Sequence, residues 1–534
     1  MRRPAENSEQ GAIAGGSRAA WLRRAVVGAL LLDGAAPFWS GRFLPFLDLP
    51  QHLALARILG DPSDAVAGFE QFFRIDHGPT PYWGYLAPMW ALTRILPLEL
   101  ANRILLSLWA IALPVSVARA LRAFGRDWRW AAFSLPLIWN SHLFYGFTAM
   151  LVSMPIFFWT LALSAEAFAG GAGRARSRVA LAVLAIVVFC AHVQTYLLLV
   201  VSIVALAVIA AGGARAIGGR LVPLLPSIAL LALFVYSQLA SGTPPISPLH
   251  AEHSPRYGQV GSPEAWSYEP PSETLSRMPA RLWGGYSDGS DDWLGMAWLL
   301  LLVVALLVSR GSAAARLPTG SPWRESAGEV ACLVAFAAYL FLPEEFAGQP
   351  WFNQKYLVFA ALLAPSFLVA PATGGRRWLL AAAAALGFAA HVNAAWKIAL
   401  FQREAAGFEA VLETAEPGRR LLGLVFDRGE LGAFRLGPFL HFPAYYVARQ
   451  GGDAGLTFAG RPAIPIRYRA GAQARHPSEW RPWEFDWRTM SGAYDYFLLR
   501  GRTFGGATEI ERRGRLVAAA GAWRLYARNR LEPP

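Results

Sequence analysis

Apolar residues gather in this chain into long blocks separated by short, arginine-rich polar stretches. A helix needs about 20 largely apolar residues to cross a bilayer core. By that measure the pattern predicts spanning helices over about 21–39, 99–118, 130–145, 147–168, 179–191, 194–211, 221–240, 293–309, 328–342, 356–371 and 379–400, about eleven in all. The first block carries Asp33 and Pro37 and is the weakest by hydropathy. The run Val179–Ala211 is too long for one span, and Ala191-His192-Val193-Gln194 divides it into two short helices. Asn140-Ser141-His142 divides two blocks in the same way. The segment Tyr82–Leu96, rich in Trp and Tyr and carrying Arg94, reads as interfacial or partly embedded.

Beyond about Phe401 the apolar blocks stop. Phe401–Thr414 reads as a helix, Arg420–Phe426 as a buried strand and Pro443–Arg449 as a helix. Ala463–Tyr468, Tyr494–Leu499 and Trp523–Ala527 read as further strands. Alternating strands and helices predict a small α/β domain. The expected fold is therefore mostly α: a polytopic membrane protein with a C-terminal α/β extracytoplasmic domain. Its parts are a cytoplasmic tail over 1–20, a membrane domain over 21–400 and the α/β domain over 401–534. The first outer loop covers 40–81 and a long outer loop 241–292.

Composition strengthens the membrane reading. The chain is 55% hydrophobic and only 16% charged, whereas soluble domains carry about a quarter charged residues. Net charge is +13, which on its own suggests a nucleic-acid binder. That class is excluded because the arginines lie in short loops between apolar blocks and form no single basic face. Alternate loops are basic (Arg119 to Arg129, Arg174 to Arg178, Arg215 and Arg220, Arg376 and Arg377), and the loops between them carry Glu252, Glu264, Glu269, Asp288, Asp291, Glu344 and Glu345. Positive charge stays inside, which predicts a cytoplasmic N-terminus and places Asp48 and the C-terminus outside. Cys190 and Cys332 both lie in apolar runs and build no disulfide framework.

Candidate chemistry begins where the chain leaves the first block, at Leu44-Pro45-Phe46-Leu47-Asp48-Leu49-Pro50-Gln51-His52. From Leu53 the apolar residues take helical spacing, which predicts a short helix lying on the bilayer surface. Asp48, His52 and Arg57 would then sit at a lipid interface, suited to a lipid-linked substrate. Two readings of Asp48 compete, because aspartate before a helix is also a preferred N-cap and proline in the first turn is ordinary. A second candidate is Lys355, which enters a late helix beside Asn353 and Gln354. A cation with amide donors can hold a lipid phosphate; the alternative is a lysine snorkelling from a helix end. His142 and His192 fall on the same expected side, and polar groups at membrane depth are costly unless they face a cavity or partner. The C-terminal region has no phosphate-cradling glycine loop, metal-spaced cluster or nucleophile elbow.

This arrangement resembles the GT-C class of integral-membrane glycosyltransferases. The resemblance rests on Leu47-Asp48-Leu49-Pro50-Gln51-His52, on Gly146-Phe147 opening a long apolar run, and on Lys355 entering a late helix. His441-Phe442-Pro443-Ala444-Tyr445-Tyr446 is similar to a segment of bacterial members of this group. The resemblance implies a sugar donor on a polyprenyl phosphate, an acceptor that is a lipid, glycan or protein, and a bacterial inner-membrane location. It implies Asp48 as general base, with Lys355 and Arg57 neutralising the phosphate leaving group and His52, Asp76, His192 and Asn353 as substrate-binding candidates. The class often pairs acids in its first loop. Here the nearest second acids are Asp76 and Glu70, so no paired-acid motif supports a divalent metal and no cofactor is assigned. A transporter or flippase for a lipid or small solute is the alternative; it would show inverted repeats and helices broken near mid-membrane.

Overall fold

The structure is a computed structural model. It describes residues 25–78, 80–170, 174–211, 213–240, 266–310, 322–346, 351–461 and 463–529. The expected N-terminal tail over 1–20, the start of the first block and the 241–265 part of the 241–292 loop lie outside the described residues.

Helices occupy every predicted block but one. Among the described residues six are long and apolar enough to cross a membrane: Leu98–Ala123, Thr148–Ala169, Val193–Ala210, Ala214–Ala240, Ser290–Ser309 and Gly374–Glu404. Arg174–Ala191 and Pro322–Phe341 are also long, each beginning in a charged turn. Ala25–Trp39 and Lys355–Phe367 are shorter apolar helices. The split at His192 is as expected, with one helix ending at Ala191 and the next starting at Val193.

The expected span at 130–145 is not a span, and the figure of eleven falls with it. That segment breaks into 3-10 turns at Trp128–Ser134 and Pro136–Ile138 and a five-residue helix, Ser141–Tyr145. Asn140 causes the second break: its side-chain oxygen accepts from the His142 and Leu143 amides and so caps a new helix. Irregular backbone at membrane depth persists only where protein satisfies it. Neighbouring side chains do so here, since Trp298 Nε1 donates to the Phe133 carbonyl (2.8 Å) and His391 Nε2 to that of Leu135 (3.0 Å).

The helix after Asp48 runs from Leu49 to Gly60, but it does not lie exposed on a bilayer surface. All its residues except Arg57 and Gly60 are buried. It packs between helix Trp83–Leu92 on one side and helix Ala444–Gln450 of the C-terminal region on the other. Apolar residues cover it on every side because both faces have a protein partner.

The C-terminal region holds a four-stranded mixed sheet in the order Leu421–Val425, Tyr496–Arg500, Trp523–Ala527, Arg515–Ala520. The first two strands are parallel and the other pairs antiparallel. Arg515–Ala520 was not among the expected strands; it is an outer strand whose residues are mostly exposed or half-buried, so it lacks an apolar signature. Strand Ile466–Tyr468 instead pairs antiparallel with Phe73–Ile75 from the first loop. A separate apolar cluster around Leu422, Leu424, Phe485, Trp487 and Phe497 lies wholly beyond residue 401, but the elements near that position are shared. Helix Arg377–Glu404 crosses it, and one apolar cluster runs from the membrane helices through Phe408, Phe442 and Trp523.

Candidate active site

Asp48 is fixed through its backbone. The Leu47 amide donates to the Phe144 carbonyl (2.9 Å) and the Asp48 amide to that of Tyr145 (3.1 Å). Gly146 ends the five-residue helix in the left-handed region, at φ +78°. A Cβ there would meet the Asp48 and Leu49 amide nitrogens at 2.9 and 3.0 Å, so glycine alone permits this approach.

The competing roles of Asp48 separate here. It occupies the N-cap position of helix Leu49–Gly60, yet its side chain makes no capping bond. Its Oδ1 lies 3.1 Å from His441 Nδ1 instead, and His441 Nε2 lies 2.9 Å from Glu479 Oε2. His441 Nδ1 is also 3.1 Å from the Leu47 carbonyl. Both ring nitrogens therefore face oxygen acceptors, which calls for a proton on each. Burial on its own would push this imidazole down, but Glu479 first and then Asp48 outweigh it and hold it up at about 9. At neutral pH His441 is an imidazolium clamped between two carboxylates. Its side chain is 3% exposed, while Asp48 keeps 14%.

Sequence reasoning gave neither His441 nor Glu479 a role, because nothing in their local spacing links them to Asp48. The available signal was a histidine inside the aromatic-rich His441–Tyr446 segment. Successive turns from Gly437 to His441 and the Pro443 start of helix Ala444–Gln450 position it.

His52, a substrate-binding candidate, makes no side-chain hydrogen bond to Asp48. Its ring is packed among Tyr82, Tyr85 and Phe458 with centroids 5.5 to 6.0 Å away, and among the described residues neither ring nitrogen meets a hydrogen-bond partner. Burial, the dominant influence, pushes it down to about 4, so it is neutral.

Lys355 opens helix Lys355–Leu363 and is buried. Its Nζ donates to Gln194 Oε1 (2.9 Å) and stands 4.9 Å from the Phe147 ring centroid. The charges that act on it are Asp48 and Arg461, and its own charge acts on His142 and His192. Asp48 and Lys355 thus share one electrostatic neighbourhood, and Gly146-Phe147 touches both. A lysine on an aromatic face with an amide partner is an organised cation, unlike a snorkelling one. Gln194 was also missed. It sits in the first turn of helix Val193–Ala210, which His192 caps by accepting from the Thr195 amide (3.3 Å). Asn353 donates to the Tyr339 carbonyl (2.9 Å) and positions the turn before Lys355.

Two candidates stand apart. Arg57 pairs with Asp64 and covers the Phe69 ring. Nine residues along the helix from Asp48, it is about 13 Å away along the axis. Asp76 accepts from the Gly78 amide (3.0 Å) and lies 3.9 Å from Arg467 on the small two-stranded sheet. Among the described residues no group of three or more His, Cys, Asp or Glu side chains is placed to hold a metal ion.

No protein-family profile matches the chain, and no curated protein does. Solved structures do. ArnT from Cupriavidus metallidurans in the apo state aligns with a TM-score of 0.54 at 14% identity, over 96% of this chain and 98% of that one. The same protein bound to undecaprenyl phosphate aligns with a TM-score of 0.55 at 14% identity, over 96% and 99%. The likeness extends over the whole length, membrane helices and C-terminal region together, and gives the chain an ArnT-like membrane fold.

Proposed function

We propose that this protein is a GT-C-class membrane glycosyltransferase that moves a sugar from a polyprenyl phosphate to an acceptor hydroxyl on the outer face of the bacterial inner membrane. The observation that carries the reading is the Asp48 carboxylate. It is released from capping, held by His441, and placed within the electrostatic reach of Lys355 on a fold shared with an undecaprenyl-phosphate-binding protein.

In this reading Asp48 takes the proton of the acceptor hydroxyl as its oxygen attacks the anomeric carbon. The bond from that carbon to the phosphate oxygen breaks, configuration inverts, and polyprenyl phosphate leaves. Lys355 meets the charge that develops on the departing phosphate, so the leaving group needs no proton. His441 occupies one carboxylate oxygen and leaves the other for the acceptor; it is a positioning residue. Glu479 keeps His441 protonated, so that its ring holds the Asp48 carboxylate in place. The broken segment at 128–145, the feature a transporter reading would use, is filled by Trp130, Trp139 and His391.

The test is complementation. Cells lacking the protein are profiled for envelope glycans and lipids, then supplied with wild type or Asp48→Asn at equal membrane abundance. Wild type restores the missing glycoform and Asp48→Asn does not. Equal restoration by both rejects Asp48 as the base.

A further inference from the structure

Between Glu166 and Glu252 the chain carries five arginines, Arg174, Arg176, Arg178, Arg215 and Arg220, and no acidic residue. The fold gathers all five at one end of the helix bundle. Helices Thr148–Ala169 and Val193–Ala210 end there, and helices Arg174–Ala191 and Ala214–Leu221 begin there. Fourteen residues separate Arg178 from His192, about 21 Å of helix. The arginine end therefore lies across the membrane from His192, Gln194 and Lys355.

Two of these side chains meet. Arg178 Nη2 donates to the Gly219 carbonyl (3.5 Å), and Arg220, the next residue, holds its guanidinium 5.6 Å from the Phe168 ring centroid. Arg220 Nη1 is shielded from solvent and meets no hydrogen-bond acceptor among the described residues. An N–H donor kept from water without an acceptor is costly, and an anionic oxygen satisfies it. Arg119 on the same face differs, because Glu166 already pairs with it. Among the described residues no carboxylate stands within ion-pair distance of Arg176, Arg178, Arg215 or Arg220. Apolar surface begins directly beneath. Val179, Val183 and Val187 form one exposed stripe at four-residue spacing on helix Arg174–Ala191. Exposed Val222, Leu225 and Ile228 extend that surface on the segment packed against it.

We propose that this end of the bundle binds an anionic glycerophospholipid in the leaflet opposite Lys355. Its phosphodiester lies on the Arg178 and Arg220 guanidinium groups, and its acyl chains run along the valine stripe. Guanidinium forks match phosphate oxygens in charge and in geometry, and basic pockets between membrane-helix ends hold phospholipid headgroups. Charge selects the anionic lipid over a zwitterionic one. The ammonium group of a zwitterionic headgroup would meet five arginines and no acid from this stretch of chain. The site is separated from Asp48 and Lys355 by the bilayer and stands whether or not the transferase reading does.

The experiment applies native mass spectrometry to the full chain, equilibrated with equimolar phosphatidylglycerol and phosphatidylcholine, and separately with equimolar cardiolipin and phosphatidylcholine. Wild type retains the anionic lipid in preference in at least one mixture. Arg178→Gln and Arg220→Gln each weaken that retention by about fivefold, the scale of one arginine beside a charged headgroup. Arg119→Gln removes a paired arginine from the same face and leaves retention unchanged. Arg178 is exposed, so its variant keeps the site under test should Arg220→Gln fail to fold. A parallel thermal-unfolding series compares the anionic lipid with inorganic phosphate alone, and only the lipid protects. Equal retention of anionic and zwitterionic lipid overturns the site. So does an equal loss in Arg119→Gln, which would reduce it to general surface charge, or equal protection by inorganic phosphate, which would make it a free-anion site.

Discussion

Asp48 and His441 lie 3.1 Å apart, carboxylate to imidazole, although most of the chain separates them in sequence. The contact ties the first loop to the C-terminal region through a carboxylate that stands at a helix N-cap yet makes no capping bond. Its consequence is electrostatic. An imidazolium sits between the Asp48 and Glu479 carboxylates, and its proton is what both contacts depend on.

That sensitivity has a sign. His441 titrates at about 9 in the folded chain against an ordinary 6.5, so its contribution to stability is complete below pH 6.5 and is lost as pH rises through 9. Glu479 is the largest charge holding it up. Glu479→Gln should therefore move the alkaline limb of a thermal-unfolding profile down by about 1–2 pH units, with the limb of transfer activity moving in parallel. A limb that stays near 9 would show that Glu479 does not set this proton.

Gly146 makes a second prediction. Gly146→Ala places a methyl at a φ of +78° and against the Asp48 and Leu49 amides, costing about 1–3 kcal/mol and pushing the Asp48 backbone away. Gly374→Ala is the control, since its φ is +57° but nothing lies within 4 Å. Transfer per folded molecule should fall for the first variant only. Equal, small losses in both would mean that the approach at Gly146 does not position Asp48.

What could be read in the sequence divides along a physical line. Apolar blocks of helical length announced nearly all the membrane helices, because lipid and core demand the same residues. Asp48 and Lys355 stood out because charge is rare in such a chain. The 130–145 segment misled because Trp130, Ile138 and Leu143 are as apolar as a span, while Asn140 and Pro136, which break it, act through local hydrogen bonds and geometry. His441, Glu479 and Gln194 were out of reach for another reason. Their roles exist only in contacts across the fold, and no local spacing encodes them.

Lys355 carries the third prediction. Its Nζ is held by Gln194 and the Phe147 ring, so its charge is preorganised for a phosphate. Lys355→Met should lower transfer by about 10²-fold or more, the scale of losing one preorganised electrostatic group. Lys355→Arg should rescue little, since a planar guanidinium neither fits that cradle nor presents a point charge. A supplied polyprenyl phosphate should protect wild type against thermal unfolding and fail to protect Lys355→Met. Equal protection would remove Lys355 from the phosphate site.

The last prediction concerns Asp33 and His391, a polar pair joining two of the apolar helices. His391 Nδ1 lies 2.7 Å from Asp33 Oδ2, and its Nε2 holds the Leu135 carbonyl freed by the broken segment. Two roles are open to such a pair, a structural clamp or a polar step in a path through the membrane. They differ in what a double-mutant cycle returns. For a clamp, Asp33→Leu or His391→Leu alone strands a buried polar group and costs about 1–3 kcal/mol. The double variant then costs less than the sum, and transfer per folded molecule is unchanged throughout. The geometry favours the clamp, because His391 spends both nitrogens on fixed partners and helps satisfy the backbone that carries Asn140 and the turn against Asp48. Loss of transfer at unchanged melting temperature in either single variant would instead make the pair part of the working path, and would reopen the transporter reading.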